Sequence, residues 1–305
     1  MWFIFALITA AAWGGADLFY KKGTDPLDKY SHLKIVVAVG LVMGLHASVY
    51  WALNYTTLSF GVHSMLLYLP VSMLYIISMA LGYAGLRYLE LSIASPLQNA
   101  SGAVTVVLCY IFFSQKPTGL QVAGTALIFI GIIGVAIWEK MQENQGIKAS
   151  LTKADTRYYS SFSALVFPLA YCVIDALGTF ADGLYLDEYV LIGEGEALLA
   201  YEFTFFICAV LVYIFLRVKK KERMSPLKEK DKFTAAALET AGQFFYVFAM
   251  SGNAMVAAPL VASYSILSVV FSHVFLKEKL TKAQYAAIVL VLAGVAILGL
   301  AEEVL

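Results

Sequence analysis

Long apolar stretches alternate with short polar breaks along the whole chain, and most of the stretches are long enough to cross a bilayer as a helix. The pattern predicts spans at about 2–20, 33–53, 63–87, 92–113, 118–138, 160–181, 197–216, 233–251, 255–276 and 282–301. Ten helices of about 20 residues use roughly 200 positions, two-thirds of the chain. Pro70 and Pro168 fall inside spans, where a missing N–H and a ring clash favour a kink. Two breaks are long and polar, 139–158 and 217–232, and the first reads as a linker between two halves. The expected organisation is therefore a first five-helix unit over 1–139, a cytoplasmic linker over 140–159 and a second five-helix unit over 160–305.

Composition agrees with that pattern. Hydrophobic residues make up 61% of the chain and charged residues only 14%, with a mean hydropathy of +0.78. Soluble domains run near about 25% charged residues, so these numbers exclude a soluble enzyme, a nucleic-acid binder and a disordered chain. The start, Met1 to Ala12, has no basic flank and reads as the first membrane helix rather than a cleaved signal. Cys109, Cys172 and Cys208 lie in apolar stretches without a CxxC pair, so neither a disulfide framework nor a metal site is expected.

Net charge is zero and names no partner, but the distribution of charge is informative. The loops after spans one, three, five, seven and nine hold 20 of the 21 Lys and Arg residues, and only Lys116 lies on the other side. Basic loops stay in the cytoplasm, so both termini are expected outside a cell membrane. The 217–232 cluster needs no further role than fixing that topology.

A shift of 163 residues aligns 93–134 with 256–297, with twelve identities in 42 positions and no gap. The informative matches are Pro96/Pro259, Lys116/Lys279, Thr118/Thr281, Gln121/Gln284 and Gly131/Gly294. Units of five spans, an odd number, enter the membrane in opposite senses. Inverted repeats of that kind permit two packings around a central site, the geometry of alternating access. The expected fold is all-α: a polytopic membrane protein with ten transmembrane helices in two inverted five-helix repeats.

These features resemble the drug/metabolite transporter superfamily in its ten-helix, EamA-like form. The resemblance rests on the Trp13-Gly14 pair, on the twin segments just quoted, and on FLKEKLTKAQ (275–284), which is similar to that family's Gly-Glu-Arg-Leu-Thr turn with Glu278 in the acidic position. Gln115 stands where the first-half turn would carry Glu, and Tyr171-Cys172 replaces a second Trp-Gly. The resemblance implies transport of a small metabolite without ATP, usually coupled to an ion or substrate gradient.

Ionisable groups inside hydrocarbon are costly and mark function. Asp17, Asp175, Glu202 and Glu239 fall within spans, whereas Lys34 and Arg87, the nearest bases, sit at helix ends. Buried acid without matching base suits a cation or a proton. Trp13 is one turn from Asp17, and Tyr171 one turn from Asp175, so each half pairs an aromatic ring with a carboxylate. A ring face beside a carboxylate holds an alkylammonium group through cation–π attraction and charge. Asp17 has a second reading, an interfacial ion pair with Lys21. Glu202, beside Tyr201, is read either as a site residue or as the cap of an outward vestibule. Glu239 shares a helix face with Gln243 and Tyr246, which points to a cavity wall, with snorkelling to the cytoplasmic surface as its second reading. Asn99 after Pro96 and Tyr264 after Pro259 are placed in the same cavity, Gln98 is expected to face the bundle interior, and Ser101, Ser263 and Ser265 read as helix–helix contacts. His46 and His273 are read as packed residues, with proton relay as the alternative.

No Walker loop, HExxH, GxSxG or dinucleotide fingerprint occurs, so no enzyme activity and no cofactor are expected. The scarcity of interior Arg argues against phosphate-rich substrates. The sequence thus points to a secondary transporter of a small organic cation or zwitterion, with choline-like amines and proton coupling as specific expectations. An exporter of neutral metabolites or amino acids, with the acids serving protons alone, is the alternative. The expected partners are a small-molecule substrate, protons and the lipid bilayer, with no metal and no nucleic acid.

Overall fold

The computed structural model describes residues 1–25, 27–89, 91–114, 116–146 and 162–303. Gln115 and most of the 140–159 linker lie outside the described residues. Every regular element among them is helical: α1 Trp2–Gly23, α2 Ser31–Asn54, α3 Val62–Gly85, α4 Leu91–Asn99, α5 Ser101–Phe112, α6 Gly119–Gly146, α7 Phe162–Gly183, α8 Glu194–Ile214, α9 Lys230–Ala262, α10 Tyr264–Phe271 and α11 Lys282–Glu303, with π-helical turns Leu184–Glu188, Phe215–Lys219 and Ser272–Leu276 extending α7, α8 and α10. Among the described residues six helical stretches are long and apolar enough to cross a membrane, and the apolar parts of α6 and α11 are shorter. Helices close all their backbone hydrogen bonds within the segment, which is what hydrocarbon demands.

The helices pack mainly in pairs, with α1 along α9, α2 along α8, α3 along α7 and α6 along α11. Tyr68, Tyr201, Phe205, Ile35 and Met43 are fully buried between them. Large apolar side chains also cover the outside, among them Leu45, Leu66, Ile111, Leu211 and Val289. Such a surface would aggregate in water, but it is what lipid tails require.

Several boundaries differ from the hydropathy reading. The stretch expected as one span over 92–113 is interrupted at Ala100, and the stretch over 255–276 at Ser263. Both residues hold nearly the same tight backbone, φ −60 and ψ −13 at Ala100, φ −62 and ψ −12 at Ser263. The break expected between 251 and 255 is a kink inside α9, where Asn253 leaves helical geometry. There the Ala254 N–H donates to Asp187 at 2.9 Å and the Val256 N–H to Asn253 at 3.3 Å. These are the free N–H groups of a new helix start. Helix α3 continues through Pro70, and α7 through Pro168 as far as Gly183, which brings Asp182 inside the helix.

The starts of α6 and α11 carry the same cap. The Thr118 N–H donates to Gln121 Oε1 at 2.8 Å, and the Gln121 N–H to Thr118 Oγ1 at 3.3 Å. Thr281 and Gln284 repeat both bonds at 2.6 and 3.3 Å. Two of the sequence identities across the 163-residue shift are therefore reciprocal capping boxes.

Candidate functional site

Helices α1, α3, α4, α5, α7, α8, α9 and α10 enclose a cavity of about 80 Å³. It has room for a handful of waters, or for one small solute once its walls adjust. One wall is aromatic. The Trp13 ring lies 5.0 Å from the Tyr246 ring and 5.8 Å, edge-on, from the Tyr264 ring. The Trp13 indole N–H donates to the Glu239 backbone carbonyl at 3.1 Å, which fixes the ring across α9. Gly242 makes this possible: a Cβ there would sit 2.4 Å from Trp13 Cδ1 and Nε1. Gly242→Ala is expected to displace the indole. In a variant keeping Trp13 as the sole tryptophan, its emission maximum should shift on that substitution, and an unchanged spectrum would contradict the contact.

Three carboxylates face the same space: Asp17 from α1, Asp175 from α7 and Glu239 from α9. Asp17 accepts hydrogen bonds from Ser95 at 2.6 Å and Ser268 at 2.7 Å. Asp175 accepts from Ser101 at 2.7 Å, with Ser78 at 3.5 Å. The ion pair of Asp17 with Lys21, one of its two sequence readings, is not the arrangement found; Lys21 donates to the Leu86 and Leu89 carbonyls at 2.9 and 2.6 Å. No donor among the described residues reaches the Glu239 carboxylate, and no Lys, Arg or His is among the residues lining the cavity. Three acids with no cation among the cavity's lining residues leave a strong local preference for positive charge.

Nine of the ten residues expected at the site line this cavity: Trp13, Asp17, Asn99, Tyr171, Asp175, Glu239, Gln243, Tyr246 and Tyr264. Glu202 does not. Its neighbour Tyr201 faces the cavity, so the helical turn aims Glu202 at α2 instead, where His46 Nδ1 lies 2.9 and 2.8 Å from its two oxygens. Removing the base would strand a fully buried acid. His46→Ala is expected to cost about 2 kcal/mol, seen as a lower Tm, while ligand affinity in the cavity stays unchanged. A fall in affinity of the same size would tie the pair to the site. His273 stands exposed at a helix end, its Nδ1 2.7 Å from the Glu278 carbonyl.

Sequence reasoning missed the second layer. Tyr20, Tyr75, Tyr83 and Tyr201 also line the cavity, and their α-helical spacing was available, but a tyrosine in an apolar run carries no sign that it faces inward. Ser101, read as a helix contact, is a cavity residue as well, and Gln98, expected to face the bundle interior, also lines the cavity. Asp182 was missed because the span seemed to end at 181.

A family model for the EamA-like transporter family matches residues 1–137 and 194–300, most of the chain. The chain belongs to the EamA-like transporter family. EamA-like proteins are membrane transporters rather than enzymes, so this chain is a multi-pass membrane protein of the drug/metabolite transporter type. One solved structure, described only as a crystal structure of a protein, is similar with a TM-score of 0.65 and 13% identity, covering 97% of this chain and 96% of its own. At that identity the likeness speaks for the fold alone. A search among curated proteins returns no match.

Proposed function

We propose that this EamA-like protein is a secondary active transporter of a small organic cation or zwitterion, choline-like amines included, driven by proton exchange through alternating access. The observation that carries the reading is the cavity itself, three carboxylates behind an aromatic wall with no base among its lining residues. A quaternary ammonium group offsets the acids, and the faces of Trp13, Tyr246 and Tyr264 receive its methyl groups. Gln98 adds a side-chain amide N–H₂ without a partner, a ready donor for the hydroxyl or carboxyl oxygen of such a solute.

Alternating access requires two halves that exchange roles, 1–139 and 160–305, each of five spans in opposite orientation. Several contacts support that division. Helix α1 packs along α9, and α7 along α3, the same pairing with the halves exchanged. The interruptions at Ala100 and Ser263 stand 163 residues apart, the shift of the repeat. A Cβ on Gly131 would lie 3.0 Å from the Ala287 carbonyl, and one on Gly294 2.6 Å from the Gly124 carbonyl. Those four positions are again related in pairs by 163, as a contact across a two-fold axis would be.

Counterflow tests the function. Liposomes loaded with unlabelled choline should transiently concentrate labelled choline above protein-free controls, and failure to do so for choline and other quaternary amines would reject the organic-cation reading. Orientation has its own test. With Cys109, Cys172 and Cys208 replaced by Ser, cysteines at Thr57 and Glu194 should label from outside intact cells. Those at Ser150 and Ser225 should label only after permeabilisation, and the reverse pattern would overturn termini-out in a cell membrane.

A further inference from the structure

Asp182 is fully buried, and it is not among the residues that line the cavity. It lies seven residues beyond Asp175 and three beyond Thr179 on one face of α7, about 10 Å further along the helix. Two hydroxyls of α3 surround it. Tyr68 donates its phenol proton to Asp182 Oδ1, and the Tyr75 hydroxyl lies 3.5 Å from Oδ2. The Tyr75 hydroxyl in turn is 2.6 Å from the Tyr246 hydroxyl and 3.2 Å from Thr179 Oγ1. Tyr75, Tyr246 and Thr179 are all cavity walls. A hydrogen-bonded chain of hydroxyls thus runs from the cavity to an acid no solute can touch.

Among the described residues the titratable groups around Asp182 are phenols: Tyr68 and Tyr75 from α3 and Tyr246 from α9, with Tyr201 of α8 further off. The nearest acid on its own helix face is Asp175, seven residues back toward the cavity. No Lys, Arg or His among the described residues pairs with Asp182. Inside hydrocarbon an acid so placed is held with a proton or beside a cation. Asp182 has no exposed surface and stands outside the cavity lining, so a proton can reach it along the hydroxyls and an organic cation cannot.

We propose that Asp182 is the proton-binding site of the transport cycle, separate from the three carboxylates that hold the substrate. The proposal rests on the cation-transport reading above. Asp182 gives its proton to the Tyr75 hydroxyl, which passes its own through Tyr246 or Thr179 to cavity water, and the carboxylate recovers one by the reverse path. Each hydroxyl gives one proton and accepts one, so the chain itself is unchanged, and a proton released with the cavity open to one side and recovered with it open to the other is carried across the membrane.

Infrared titration of the reconstituted protein with no substrate present is the primary test. The wild type should show protonated carboxyl absorption that disappears as pH rises, and the component missing in Asp182→Asn should persist in Asp175→Asn and in Glu239→Gln. A band unchanged in Asp182→Asn would overturn the proposal whatever the protein transports. The second readout is choline uptake. Asp182→Asn should keep choline counterflow at symmetric pH and lose accumulation driven by a pH gradient by at least tenfold, whereas Asp175→Asn should lose both. Gradient-driven accumulation at wild-type level in Asp182→Asn would also overturn it, while absent counterflow in the wild type would sink only the choline reading. If Asp182→Asn does not fold, Tyr68→Phe keeps the ring and removes one donor, so the pH midpoint of the Asp182 band should shift. An unmoved midpoint then counts against the site.

Discussion

Replacing Glu239 with Gln is expected to leave the empty protein at least as stable as the wild type while weakening choline binding by about thirtyfold or more. The two halves of that expectation come from one observation. Glu239 faces the cavity without a donor among the described residues, in the company of Asp17 and Asp175. Burying a carboxyl without a partner costs stability whether it is charged or must first take up a proton, so an amide in its place relieves the empty state. Removing one partner of a buried charge pair costs about 2–5 kcal/mol in the complex, and 1.4 kcal/mol is a factor of about ten. Asp17→Asn should gain less stability when empty, because Ser95 and Ser268 both donate to one oxygen of that carboxylate, and these charge-assisted bonds become weaker neutral ones when an amide oxygen takes its place. Thermal unfolding with and without choline separates the two cases. A Glu239→Gln protein that loses stability and keeps affinity would show that the acid serves the fold.

Trp13→Leu is the second substitution with a large expected effect. Leucine keeps an apolar side chain and removes the ring, so a desolvated cation–π contact of about 2 kcal/mol is lost, roughly a thirtyfold drop for a quaternary amine. Trp13→Phe should lose less, because a smaller quadrupole remains. The carbon isostere of choline, 3,3-dimethylbutan-1-ol, should bind poorly to the wild type and change little on either substitution. Equal losses for amine and isostere would mean that the ring only fills space, and would favour the neutral-metabolite exporter.

Much of this was legible in the sequence, for identifiable reasons. Hydropathy finds helices in membranes because backbone polar groups have no other way to be satisfied there. Acids in apolar runs find the cavity because their burial is too expensive to be incidental, and that logic placed Asp17, Asp175 and Glu239 together. The matched Thr118/Thr281 and Gln121/Gln284 were visible as identities, and the structure supplies the reason, two reciprocal helix caps. What escaped is equally instructive. The interruptions at Ala100 and Ser263 carry no glycine or proline at the break itself, so hydropathy runs through them. Glu202 satisfied every rule for a cavity acid, yet one hundred degrees of helical rotation turned it to His46. Asp182 was lost to a span end drawn two residues short, since hydropathy falls at an aspartate whether it is inside the bundle or at the surface.

The central claim is that the cavity selects positive charge. Its most direct test is the affinity of the purified wild-type protein for choline compared with 3,3-dimethylbutan-1-ol, two molecules of nearly the same shape that differ in one charge. The account predicts that choline binds at least about thirtyfold more tightly, the worth of one desolvated cation–π contact. Equal affinities, or tighter binding of the neutral alcohol, would contradict it.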